Sequence, residues 1–216
     1  MKNLLINRKD ALFSTFVILI CLTLSYFFPT DGNFQNFSRG AFFFLIIPAL
    51  YVKVILKKNL RDFGLNFTGW RQGLFWITAT LAAALLTGYG LVQFTDFEHD
   101  YISLLPVYAM TSFRWFLVYE LIFFNILLIL LEIFFNGFVL FSFLKDFGYW
   151  SILIVTTIFL GFLALTNSLD WRMAPAMILI PFGAWTAIQT RSFVYAYLMG
   201  ILFIIIFDAY VIYIFK

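Results

Sequence analysis

Seven apolar runs divide the chain almost from end to end: Ala11 to Phe28, Gly40 to Leu56, Gly73 to Val92, Trp115 to Leu144, Trp150 to Leu165, Met173 to Ile188 and Phe193 to Phe215. Four of them fall within the range of about 17 to 25 residues that a helix needs to cross a bilayer, two fall one residue short, and the fourth run is longer. In hydrocarbon every backbone polar group must be satisfied internally, so only helices and closed barrels span it. Barrel strands show as segments of about 10 residues with alternating polarity. These runs are longer and continuous, and they predict an all-α, polytopic transmembrane helical bundle of about seven spanning helices.

Composition agrees. Apolar residues make up 63% of the chain and charged residues 12%, where a soluble domain has about half and a quarter. Mean hydropathy is +0.97, and little chain is left for a soluble domain. The first run follows basic residues without a small-x-small cleavage pattern, so it is read as a retained helix and not a signal peptide. Residues 1–58 are expected to form a two-helix membrane segment. Residues 59–216 are expected to form the core, led in by a basic, amphipathic connector at 59–72, "NLRDFGLNFTGWRQ", in the headgroup layer. The stretch from Ile102 to Met110 is read as interfacial, not as an eighth crossing.

Lysine and arginine asymmetry sets the expected orientation. With the N-terminus in the cytoplasm, Lys2, Arg8, Lys9, Lys53, Lys57, Lys58, Arg61, Arg71, Lys145 and Arg191 fall inside. Arg39, Arg114, Arg172 and Lys216 fall outside. The expected location is the cytoplasmic membrane of a prokaryote. The net charge of +3 therefore reflects orientation and does not indicate nucleic-acid binding. The single cysteine, Cys21, excludes an intrachain disulfide, and the single histidine, His99, excludes a histidine-rich metal centre. No cofactor and no metal are expected.

The fourth run is longer than a membrane requires. As one helix it would measure about 45 Å against a hydrocarbon core of about 30 Å, so it must tilt, bend or emerge. Gly137 is a candidate for bending or close packing. Within this run Asn125, Glu132 and Asn136 lie along one helical face, seven and four residues apart. Glu120 is about 18 Å from Glu132 along the axis, too far for the two to form a catalytic pair. A carboxyl group at membrane depth either serves a function or bonds helices together through a hydrogen-bonded partner. Asn125 and Asn136 are the partners on its own helix.

The stretch "LEIFFNGFVLFSFLKDFGYWSILIVTTIFLGFLAL" resembles the core of the CPBP family, the CAAX prenyl endopeptidases and bacteriocin-processing or Abi-type membrane proteins. The family pattern is Glu-Glu-x-x-x-Arg-Gly, then a basic residue and Phe-Gly-x-Trp, then a helix ending in Phe-x-x-x-His. Glu132, Gly137, Phe147, Gly148, Trp150 and Gly161 fall in register. The resemblance extends weakly from Asn59 to the C-terminus, with "FGAWTAIQTRSFVYAYLMG" similar to a third motif. It implies a site in which a glutamate and a histidine activate water while a later histidine and asparagine hold the oxyanion. Here those positions carry Leu131, Ala164, Gly200 and Ile204, and Asn136 replaces the arginine. The resemblance therefore implies a degenerate member without catalytic residues, with Glu132 as the surviving supporting glutamate.

Other polar groups are read as structural. Asp208 in the last run is expected to bond an Asn or Tyr, since Arg191 is about 25 Å away along the axis. Asn167, Asp170 and Arg172 mark a loop, and Gly88 to Gly90 is not a phosphate loop. Two functional expectations follow. One is a catalytically inactive protein acting by binding, in contact with membrane lipid and with other integral membrane subunits as an accessory or scaffold. The other is an intramembrane endopeptidase with an atypical site, built from Glu132 and a partner such as Asp208. A transporter reading would call for paired repeats, and the sequence shows none.

Overall fold

Each apolar run becomes a helix. A computed structural model describes residues 2–29, 32–67, 69–103, 105–170 and 173–215, with the side chains of 2–10, Asn33, Glu98 and His99 outside the description. Arg172 and Lys216, and the side chains of Lys2, Arg8 and Lys9, all used in the charge count, lie outside the described residues. The chain is almost entirely helical, and no strand occurs among the described residues.

The first helix, α1, is Lys2–Phe27. The second, α2, runs over 33–55 and alternates ordinary turns with wide turns at Phe42–Ile46 and Tyr51–Ile55. Pro48 explains the first wide turn, because its ring would press on the carbonyl four residues before it and it has no N–H to donate. Then come α3, Trp70–Phe94, and two short helices, α4, Phe97–Ile102, and α5, Val107–Thr111. The long helix α6 covers 113–147, followed by α7, Ser151–Leu165, α8, Ala174–Thr190, and α9, Phe193–Phe215.

The fourth run is thus one helix, widened at Tyr119–Phe124 and Glu132–Val139. It ends at Gly148, whose φ of 54° and ψ of −130° suit glycine and turn the chain back. The α6 and α7 helices then pack as a hairpin, with the Phe135 and Phe159 rings 5.0 Å apart. By length and hydropathy four helical stretches can cross a membrane: Phe34–Ile55, Trp70–Phe94, Phe113–Leu165 and Phe193–Phe215. The third of these contains the hairpin. Ala11–Phe27 is a shorter apolar helix.

Successive long helices alternate between two ends of the bundle. At one end the connector meets the start of α9: the Phe193 N–H donates to the Gly64 carbonyl at 3.0 Å, the Ser192 hydroxyl donates to the Asn66 carbonyl, and the Tyr195 hydroxyl donates to the Phe67 carbonyl at 3.0 Å. The Gln189 side chain reaches Tyr149 at the α6–α7 turn. Lys57, Arg61, Lys145 and Arg191 therefore share an end. In the connector Leu65, Phe67 and Trp70 are exposed, whereas Phe63 is buried and stacks on Phe138.

At the other end α4 folds over α9 as a cap, and α5 packs against the start of α6. Phe97, Tyr101, Ile102 and Leu105 are buried there, with Phe97 and Tyr101 against Phe207. Of the segment read as interfacial, Ile102, Leu105 and Ala109 are buried, whereas Val107 and Tyr108 are exposed. One core joins Ile18, Phe43 and Phe44 to Phe134, Phe135 and Phe159, so residues 1–58 share their packing with the rest of the chain.

Candidate functional site

Glu132 and Asn136 form the buried polar centre of α6. One helical turn separates them, and the Asn136 Nδ2 donates to Glu132 Oε2 at 2.8 Å. Glu132 is 1% exposed and Asn136 0%. Their other oxygens, Glu132 Oε1 and Asn136 Oδ1, have no partner among the described residues. Two glycines make the room: a Cβ on Gly183 of α8 would strike Asn136 Nδ2 and lie 3.3 Å from Glu132 Oε1, and one on Gly200 of α9 would lie 3.6 Å from the same oxygen.

The expected trio on one face divides. Asn125 accepts a 2.7 Å bond from the Tyr197 hydroxyl of α9 and does not join Glu132. Seven residues of helix place it about 10.5 Å further along the axis, beyond the reach of two side chains directed sideways.

The degenerate motif positions do not converge either. Asn136 and Gly200 lie at Glu132, but Leu131 is half-buried against the other side of the core. Ala164 is exposed, whereas Val155, Phe159 and Leu163 form the buried face of α7. The inward position is therefore Leu163, one residue before the one aligned. Neither side chain can accept a proton. Ile204 is buried in the apolar core around α9.

A second polar cluster lies nearer the cap. Asp208 of α9, 1% exposed, accepts a 2.8 Å bond from the Tyr101 hydroxyl. Glu120 of α6, 3% exposed, is a near neighbour of it across the α6–α9 packing. Neither Glu120 oxygen nor Asp208 Oδ2 has a hydrogen-bond partner among the described residues. Burial, and then the adjoining Asp208, pushes the Tyr101 hydroxyl well above its ordinary pKa, so it acts as a donor.

Asp208 therefore has a tyrosine partner, and Glu120 is the residue beside it that sequence reasoning missed. Glu132 is not its partner: Gly200, which touches Glu132, is eight residues from Asp208, about 12 Å along α9. The antiparallel pairing of α6 and α9 explains both clusters. Glu132 meets Gly200 and, further along each helix, Glu120 meets Asp208.

No family model, curated protein or solved structure matches the chain. Its chemistry therefore rests on the two clusters themselves. Among the described residues no group of three or more His, Cys, Asp or Glu could hold a metal ion. At Glu132 the described neighbours include the Asn136 amide and the glycines Gly183 and Gly200. That arrangement can fix helices against each other.

Proposed function

We propose that the protein is a catalytically inactive, CPBP-like integral membrane protein that acts by binding, as an accessory or scaffold subunit of a larger membrane complex. The observation that carries this reading is the closed Glu132–Asn136 pair, whose neighbours Gly183 and Gly200 supply space but no catalytic group. In this reading the end bearing Lys57, Arg61, Lys145 and Arg191 faces a prokaryotic cytoplasm, in accord with the positive-inside rule. Almost no mass stands outside the helices, so partners are recognised through apolar helix faces such as that of Phe13, Phe16 and Leu12 on α1, all exposed.

The test is extraction in a gentle detergent at natural expression level, followed by native mass measurement. A stoichiometric membrane partner is the expected result. A lone 25.2 kDa chain that cleaves membrane peptides would overturn it.

One observation favours a second reading, an intramembrane endopeptidase with an atypical site. Glu120 and Asp208 are paired carboxyl groups, the arrangement with which aspartic peptidases activate water. Peptide cleavage lost in Asp208→Asn and kept in Glu132→Gln would support that reading.

A further inference from the structure

The α2 helix, the connector, α6 and α9 enclose an apolar groove of about 110 Å³, lined among others by Leu45, Ala49, Val52, Leu60, Phe63 and Phe138. Its wall is not sealed: Leu45 is exposed and Ala49 is half-buried, so the groove opens on the outer surface of the helices. An apolar cavity on this scale stays dry and takes hydrocarbon, as an engineered cavity of about 150 Å³ does with benzene. The groove follows α2 from Leu45 to Val52, about 10 Å along its axis.

A basic collar begins where the groove ends. Lys53 follows Val52, and Arg61 follows Leu60, with Lys57 and Lys58 between them; all four are exposed, and no acid stands between 53 and 61. The nearest carboxylate in the sequence, Asp62, is turned back on its own helical turn, where its Oδ2 accepts the Asn59 N–H at 3.2 Å. Lys/Arg clusters beside a membrane helix attract anionic headgroups. Hydrocarbon surface and positive charge thus follow one another along a single track, in the order in which a phospholipid presents an acyl chain and a phosphate.

We propose that this groove is a binding site for one anionic glycerophospholipid, with an acyl chain between α2 and α6 and its phosphate held by Lys53, Lys57 and Arg61. The site is independent of whether the protein has a subunit partner. A zwitterionic lipid would leave the collar without a net negative charge, and an apolar helix of another protein would not use it.

The experiment is native mass spectrometry of the full chain in mild detergent, loaded with dioleoylphosphatidylglycerol or dioleoylphosphatidylcholine. One phosphatidylglycerol per chain should persist at collision energies that strip phosphatidylcholine. Ala49→Phe fills the groove and should lower its retention about tenfold, with helicity checked by circular dichroism. The surface variant Lys53→Gln/Lys57→Gln/Arg61→Gln, which leaves packing alone, should abolish the preference for phosphatidylglycerol. Equal retention of the two lipids by the unmodified chain would overturn the proposal. So would undiminished phosphatidylglycerol on a folded Ala49→Phe protein, or an unchanged preference in the triple variant.

Discussion

The Tyr101 hydroxyl donates to Asp208 Oδ1 at 2.8 Å and so fastens the short cap helix α4 to the interior of α9. Both residues are buried. Tyr101→Phe keeps the ring against Phe97 and Phe207 but removes the only donor that Oδ1 has in that contact. A buried acceptor left unmatched costs about 1–3 kcal/mol. The expected outcome is a lower unfolding midpoint in detergent, and a smaller loss when the same change is made in Asp208→Leu, where no acceptor remains.

The same contact makes stability depend on alkaline pH. In the unfolded chain Tyr101 titrates near its ordinary value of about 10, and in the folded protein burial and Asp208 hold the proton to well above that. The contribution is whole below pH ~10 and is lost as pH rises toward the folded value, at up to about 1.4 kcal/mol per pH unit. Unfolding of the unmodified protein and of Tyr101→Phe, followed from pH 8 to 11, should show the gap between them narrowing above about pH 10. A constant gap would mean the hydroxyl titrates alike in both states.

The helices are legible in the sequence because a bilayer demands long, unbroken apolar runs, and the Glu132–Asn136 bond because i and i+4 share a helical face whatever the surroundings. The cap is not: Phe97, Tyr101 and Ile102 make a buried face only one short helix long, and Pro106 interrupts the pattern before it can repeat. The Glu120–Asp208 contact is hidden for a different reason. It depends on the register of α6 on α9, set where Gly200 lets Leu128 and Glu132 approach, and a tertiary register leaves no period in either helix. The choice between Leu163 and Ala164 as the inward position is equally invisible, because α7 carries no charged residue and only Ser151, Thr156 and Thr157 as polar ones, too few to mark which of the two faces the core.

Gly183 and Gly161 should respond in opposite ways to one methyl group. At Gly183 of α8 the new Cβ strikes Asn136 Nδ2 and crowds Glu132, which are themselves fully packed. Overpacking of this kind costs about 1–3 kcal/mol. At Gly161, mid-helix in α7, nothing lies within 4 Å of the added atom. Alanine there should be neutral or stabilise by roughly 0.5–1 kcal/mol, the usual helix preference over glycine. Thermal unfolding of Gly183→Ala and Gly161→Ala side by side measures the contrast, and equal shifts would refute the close approach of α8 to the Glu132–Asn136 pair.

Glu132 decides between a structural and a chemical role. Its geometry asks for an acceptor toward Asn136 Nδ2 and nothing else that the described residues provide. Glu132→Gln keeps a carbonyl oxygen of the same reach, so stability should change by less than the ~0.6 kcal/mol typical of a membrane hydrogen bond, and any complex with partner subunits should survive. Glu132→Leu removes the acceptor and strands the Asn136 amide in the core, which should cost about 1–3 kcal/mol. Adding Asn136→Leu to Glu132→Leu should recover part of that loss, because replacing both partners by apolar groups can be nearly neutral. Retention of fold together with loss of the complex or of an activity in Glu132→Gln would show that the carboxyl charge is used. The pair would then be a functional site and not a bond between helices.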